Sequence, residues 1–159
     1  MKRRDMYSFI RLTRLTAIAA WVIWCWCPAQ TAAAQNQVVT HVKVIQASTQ
    51  TRSVDPALRG IVPELEKVFR YTGYTLLQEK TLSLAFQQPG RVLLPDSRTL
   101  VLTPTSSQGG RIQYDIQILN RKDAVFQTRV LLKNKRSMTI GGPRSGHGVL
   151  LFHITGSLP

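Results

Sequence analysis

The feature that most constrains this chain is the strict alternation of apolar and polar residues from Ile112 to Ile118. The apolar side chains occupy every second position: Ile112, Tyr114, Ile116 and Ile118. Because successive side chains of a β-strand point to opposite faces, this pattern predicts a strand with one buried and one exposed face. Such a strand needs a second apolar layer against which its buried face can pack.

Further strands are predicted on both sides of this segment. They are apolar, often β-branched runs separated by turn residues: Val38–Ile45, Tyr74–Phe86, Arg91–Leu94, Arg98–Thr103, Ala124–Leu132, Ser137–Ile140 and Val149–Thr155. The segment Gly141–Gly148 is predicted to be a glycine-rich loop. Strands at this spacing predict an α+β domain, mostly β, in which an antiparallel meander forms a sandwich or a partial barrel with one covering helix.

The predicted helix lies near residues 55–72. Asp55 is a suitable N-cap, and Pro56 would occupy the first helical position. Apolar residues then recur at helical spacing as far as Phe69, and Gly73 is expected to end the helix. Pro63 disturbs this pattern, which leaves two outcomes: a helix kinked near Gly60, or a short turn from Pro56 followed by a new helix at Pro63. We favour the kink.

The N-terminal residues are typical of an export signal. Basic residues come first, an apolar block follows from Ala17 to Cys27, and Ala32-Ala33-Ala34 offers small residues for cleavage. This order predicts a secretory signal peptide over residues 1–34, cut between Ala34 and Gln35, and a single β-rich domain over 35–159. An uncleaved N-terminal anchor is the alternative. The domain is expected to be exported and periplasmic, envelope-associated or extracellular.

Cleavage would change the composition of the chain. It removes both cysteines, Cys25 and Cys27, so the mature domain could form no disulfide. It also removes five of the 21 Lys and Arg residues and one of the eight Asp and Glu residues, which leaves a net charge of +9. The electrostatic field of such a net positive charge favours an anionic partner. We expect an envelope protein or an anionic surface polymer, no nucleic acid, and membrane contact only through the transient signal peptide.

The sequence offers no recognisable catalytic, metal or cofactor motif. The three histidines, His41, His147 and His153, show no ligand spacing. Ser145 lies near His147, but a hydrolase elbow needs a glycine two positions before the serine and a helix after it, and neither is present. Only seven acidic residues remain after residue 34, and they suggest no catalytic pair. We therefore expect no catalytic residue, no metal and no cofactor.

The cations lie mainly in the predicted turns. In a meander, successive turns fall at alternate ends of the sheet. Arg98, Arg121, Lys122 and Arg144 should gather at one end, and a second group should gather at the other: Arg111, Lys133, Lys135 and Arg136. The first group, with His147, forms the candidate anion- or partner-binding site. The alternative is that these cations are solvated turn residues and that Gly141–Gly148 is a hairpin without a ligand.

Two resemblances accompany these patterns. The segment Val42–Leu84 and the run Met138-Thr139-Ile140-Gly141-Gly142-Pro143 resemble an uncharacterised class of exported bacterial β-rich domains. Thr128–Lys135 and Thr139–Gly142 are similar to strand patterning in the secretins, the pores of outer-membrane secretion systems. The chain lacks the length and the membrane-spanning hairpins of a secretin. The resemblance implies an envelope-associated accessory or assembly module, and it assigns no functional residue.

Three functions follow as hypotheses. The first is an exported cell-envelope binding or assembly module without catalytic activity, accessory to a secretion or surface system. The second is a periplasmic protein that binds a small anion or a glycan through the Gly141–Gly148 loop. The third is an enzyme of an unrecognised class, whose site would be assembled from scattered polar residues.

Overall fold

The computed structural model describes residues 37–159, so the predicted signal peptide lies outside the described residues. This part of the chain folds into eight strands: β1 Gln37–Ser48, β2 Gly73–Ala85, β3 Gly90–Leu94, β4 Arg98–Gln108, β5 Arg111–Asn120, β6 Asp123–Lys133, β7 Arg136–Ser145 and β8 Gly148–Ser157. A 3-10 turn over Pro56–Leu58 and a helix, α1, over Val62–Val68 lie between β1 and β2.

The strands form two antiparallel sheets of four. The first sheet has the order β2-β1-β8-β7, and the second has the order β3-β4-β5-β6. Consecutive strands pair within each sheet, except that β1 also pairs with β8, so the first and last strands lie side by side. The sheets do not close, and the predicted mostly β fold is therefore confirmed as a sandwich.

The main core lies between the two sheets. The alternating residues predicted to be buried, Ile112, Tyr114, Ile116 and Ile118, are all fully buried in it. They face apolar residues of the first sheet, among them Val42, Phe152 and Ile154. The polar residues between them, such as Gln113 and Gln117, stay partly exposed on the outer face of the second sheet. Removal of this apolar surface from water is the main driving force for the fold.

A smaller core lies on the other face of the first sheet. There Leu58, Val62 and Leu65 of the segment between β1 and β2 pack against Ile45 and Leu151. The helix therefore covers one face of the sandwich, as predicted. This covered face also holds His153, whose Nδ1 lies 3.0 Å from the Thr139 hydroxyl. Burial lowers the pKa of His153, while Glu64 on α1 raises it and Lys43 lowers it further. The neutral ring is thus favoured, as suits a structural histidine.

The favoured kinked helix is wrong. The Asp55 carboxylate caps as expected and accepts a hydrogen bond of 2.9 Å from the Ala57 amide. The chain then makes only the short 3-10 turn, and a separate helix begins with Pro63 in its first turn. A proline ring clashes with the carbonyl four residues earlier, so the chain breaks before Pro63 instead of bending through it. Gly73 does not end this helix either; it begins β2.

The predicted glycine-rich loop is also wrong over most of its length. β7 continues to Ser145, and only Gly146 and His147 lie in the turn. Gly142 of β7 serves close packing, because a Cβ added there would overlap the ring of Phe152. Glycine in a strand commonly marks such a close approach or a bulge, and the β7–β8 register shifts between Gly141 and Arg144.

One polar contact crosses the main core. The hydroxyls of Thr40 on β1 and Tyr114 on β5 lie 2.8 Å apart, and both residues are fully buried. Thr40 is the cross-strand partner of Gly156, where an added Cβ would lie 2.7 Å from the Tyr114 hydroxyl. The missing side chain at Gly156 therefore leaves room for Tyr114 to reach across from the opposite sheet. Burial raises the pKa of Tyr114, which keeps the phenol protonated.

We expect Tyr114→Phe and Thr40→Val each to lower the free energy of unfolding by about 1–3 kcal/mol, since each leaves a buried hydroxyl unpaired. The double variant should lose less than the sum of the two, because it leaves neither group unpaired. Urea denaturation of the four proteins measures this coupling. Additive losses would show that the two hydroxyls do not interact.

Candidate functional site

The candidate site is the end of the sandwich where three hairpin tips meet. These tips are Asp96-Ser97 between β3 and β4, Arg121-Lys122 between β5 and β6, and Gly146-His147 between β7 and β8. The pairing confirms the predicted distribution of turns. At the opposite end Arg111 is the cross-strand partner of Lys133, and the Lys135 amide donates to the Gly156 carbonyl over 2.9 Å.

A polar clasp joins the tips of the two sheets. The hydroxyl of Ser145, which is 4% exposed, donates to the Asp96 carboxylate over 2.8 Å. The Arg98 guanidinium donates to the Arg144 carbonyl over 2.8 Å and lies 3.7 Å from the same carboxylate. Asp96 and Arg98 belong to the second sheet, and Arg144 and Ser145 to the first. The clasp therefore fixes the position of the β7–β8 tip relative to the β3–β4 tip.

The clasp changes the role expected for Arg98. Its side chain is only 21% exposed, and its guanidinium is directed at groups within the domain. Arg98 is thus a positioning residue of this end, although the sequence suggested direct contact with a partner. Ser145 is likewise committed to Asp96, and its hydroxyl proton is not directed at His147.

Arg121 and Lys122 form the exposed tip of the β5–β6 hairpin. Arg121 has a φ of 56°, in the left-handed region that favours glycine. Gly146 holds the corresponding first turn position of the β7–β8 hairpin, also with a φ of 56°. A non-glycine residue in this conformation costs about 1–3 kcal/mol. This hairpin therefore carries a cation where glycine would fit with less strain.

A cleft of about 410 Å³ lies beside this tip. It is lined by residues of the β3–β4 and β5–β6 hairpins: Asp96, Ser97, Asn120, Arg121 and Asp123. Two carboxylates and one cation, Arg121, line this cleft, so the net positive charge at this end is carried by the outward tip and by Arg144 on β7.

A second cavity, of about 370 Å³, lies between the β7–β8 tip and the insertion that follows β1. Its lining is mostly polar and comes from three segments: Ser48, Thr49, Gln50, Tyr71, Arg144, Gly146, His147, Gly148 and Val149. Two hydrogen bonds join the end of β1 to the β7–β8 tip, from the Gln46 side-chain amide to the Ser145 carbonyl over 3.0 Å and from the Ser48 hydroxyl to the His147 carbonyl over 3.3 Å. Arg144 and His147 thus share one cavity, while Arg121 and Lys122 lie on a separate hairpin.

The sequence did not identify Ser48, Gln50 or Tyr71 as members of this site. Ser48 ends β1, whereas Gln50 and Tyr71 belong to the insertion between β1 and β2. All three lie far before the β7–β8 turn along the chain, and the hydrogen bond from Ser48 to His147 joins residues 99 positions apart. The polar run after β1 predicted only a loop. Nothing in the sequence indicates that this loop returns to a hairpin so distant along the chain.

The described residues contain no group of three or more His, Cys, Asp or Glu side chains placed to hold a metal ion. Over residues 37–159, no helix has the length and apolar character needed to cross a membrane. No family model, no curated protein and no solved structure shows a significant match to this chain. The resemblances to exported β-rich domains and to secretins therefore stay predictions.

We expect Ser145→Ala to lower the free energy of unfolding by about 0.5–1.5 kcal/mol, since it removes one hydrogen bond of the clasp. The exposed Ser137, on the same strand, is the matched control. Ser137→Ala should change stability by much less. Urea denaturation compares the two variants, and equal effects at both positions would mean that the clasp contributes nothing to stability.

Proposed function

We propose that this protein is an exported, non-catalytic binding module of the cell envelope, and that it holds an anionic surface polymer or the acidic face of an envelope protein at its hairpin-tip end. The observation that carries the proposal is the convergence of three hairpin tips on one end of a rigid sandwich. This end presents Arg121, Lys122 and Arg144 to solvent. An accessory role in a secretion or surface system is consistent with such a module.

The electrostatics favour a partner of this kind. Residues 35–159, which would remain after export, contain 16 basic and seven acidic residues, so the electrostatic field of the module draws anions from solution. At the tips, exposed cations project from short hairpins, and the Asp96–Ser145 hydrogen bond fixes the hairpin that carries Arg144. A preorganised group of cations loses less conformational entropy on binding than the same residues on a mobile loop. Affinity that rests on exposed charge must fall with salt, because screening acts over about 10 Å at 0.1 M.

The test is charge reversal at this end. We expect the double variant Arg121→Glu with Lys122→Glu to weaken binding to immobilised polygalacturonate, a carboxylate polymer, by about tenfold at low salt. Surface plasmon resonance over a salt series measures the effect. A pull-down from envelope extract with the same two proteins tests for an acidic protein partner.

The matched control reverses the same number of charges at the opposite end, in the double variant Lys135→Glu with Arg136→Glu. It separates local recognition from the effect of net charge. Equal losses of affinity in both double variants would show that binding depends on the net charge of the chain and not on this end. The proposed function would be contradicted if the unaltered chain retained neither the polymer nor any envelope protein, at low and at high salt.

A small-anion or glycan binder is the second candidate, favoured by the 370 Å³ cavity at the β7–β8 tip. The cavity is of the size that small ligands occupy, and Arg144, His147 and Tyr71 supply a cation and hydrogen-bonding groups. Its ligand would lie between the tip and the insertion.

For this second candidate we expect Arg144→Ala to weaken the binding of inorganic phosphate and of glucuronate, measured by isothermal titration calorimetry, by about tenfold. Arg121→Ala, outside the cavity, is the control and should leave the affinity unchanged. An unaltered affinity of the Arg144 variant for both probes would remove this candidate.

A further inference from the structure

The second sheet has one long strand without a partner on its outer side. Within residues 37–159, β6 pairs only with β5, and its other edge carries no strand. β6 has 11 residues and contains neither proline nor glycine. A long, unprotected edge of this kind is a template for pairing with another strand.

The other three edges are protected in ways that β6 is not. β3 has only five residues, and β7 contains Pro143 and two glycines. The outer edge of β2 is already covered at Tyr74, whose backbone amide and carbonyl pair with Ser53 and Asp55 of the insertion, and its middle carries Glu79 and Lys80. Glu79 lies 3.5 Å from Lys43, and the Lys80 ammonium donates to the Arg91 carbonyl over 3.0 Å. These features are the usual means by which proteins prevent edge-to-edge association.

The sequence of β6 is complementary to itself when read in the antiparallel direction. About a two-fold axis at Thr128, each copy would place Phe126 opposite Val130 of the other and Gln127 opposite Arg129. The exposed apolar residues Val125 and Leu131, which are 53% and 59% exposed, would come together. Beyond the register shift at Val125, Asp123 would lie close to Lys133 at the end of the partner's strand, and neither has an ion-pair partner within the described part of the chain.

The register of β6 supports this axis. β6 follows β5 without interruption from Phe126 to Lys133, and the register shift lies on the other side of Phe126. The central segment, Phe126–Val130, is therefore regular and can form a ladder with its copy. Arg129 does not obstruct strand pairing near the two-fold axis, since its guanidinium is held on its own sheet, where it donates to Asp115 over 3.0 Å. That contact lowers the pKa of Asp115 and keeps the carboxylate charged.

The side of the sandwich along β6 is also incompletely covered. Phe126 and Val130 on β6, with Met138 and Ile140 on β7, are only partly buried where they pack against the main core. A second copy joined at β6 would shield these four partly exposed apolar side chains from water. β6 therefore combines free backbone hydrogen-bonding groups, charges complementary to its own copy, and partly exposed apolar side chains beside it.

We propose that β6 is the contact of a two-fold homodimer, in which the second sheets of two copies join into one eight-stranded antiparallel sheet. The occupant of the edge is a second copy of this chain. The inference is independent of the proposed binding function, because it involves none of the tip cations.

The test uses sedimentation equilibrium over a concentration series. We expect the unaltered protein to dimerise reversibly. Asp123→Lys and Lys133→Asp should each raise the dissociation constant by about tenfold, because the symmetry turns two attractive contacts into two repulsive ones. The double variant, Asp123→Lys with Lys133→Asp, restores opposite charges across the interface and should recover the original constant.

A second pair of variants tests the apolar contacts. Leu131→Lys on β6 should weaken the dimer, whereas Leu93→Lys should not, although Leu93 is 73% exposed on the other edge of the same sheet. Urea denaturation confirms that each variant folds. A chain that stays monomeric at every concentration would overturn the proposal. So would a dimer that is insensitive to Leu131→Lys, or one whose affinity the charge-swapped double variant does not recover.

Discussion

The packing of two apolar sheet faces on each other is the constraint on which everything else in this domain depends. Both cysteines of the chain precede residue 37, so no disulfide can hold the sheets together in the described part. Among the described residues the interior is almost wholly apolar, and a side-chain hydrogen bond between Thr40 and Tyr114 crosses the main core from sheet to sheet. That bond exists because Gly156, beside Thr40, leaves space for the phenol. A buried polar pair of this kind specifies one alignment of the sheets where apolar contacts alone would tolerate several.

This alignment is what brings the candidate site together. The clasp residues Asp96 and Ser145 lie on different sheets and are 49 positions apart. They meet only when the sheets are packed in a single orientation. The clasp in turn fixes the hairpin that carries Arg144 and one wall of the 370 Å³ cavity. A change in the core at Tyr114 can therefore affect binding at the tips without any contact with a ligand.

The sequence was sufficient where the pattern is local. Alternation identified β5 and its buried residues, and the order of turns separated Arg121 from Lys133 at opposite ends. It failed where two signals compete. The apolar spacing around Gly60 indicated one helix, but the proline at position 63 determined two elements. Contacts between distant segments left no signal at all, and for this reason the pairing of β1 with β8 and the place of Tyr71 in the cavity emerge only from the structure.

The free edge at β6 and the cations at the tips are connected through geometry. A two-fold axis at Thr128 lies perpendicular to the strands, so the dimer would direct its two tip ends away from each other. Each end would then engage a separate anionic site, and a repeating surface polymer offers many such sites. Two linked modules bind such a polymer far more tightly than one, because the second contact forms at the high effective concentration set by the first. The weak individual affinity that exposed cations allow is thus compatible with firm attachment of the dimer, provided that the polymer spans the length of the joined sheet.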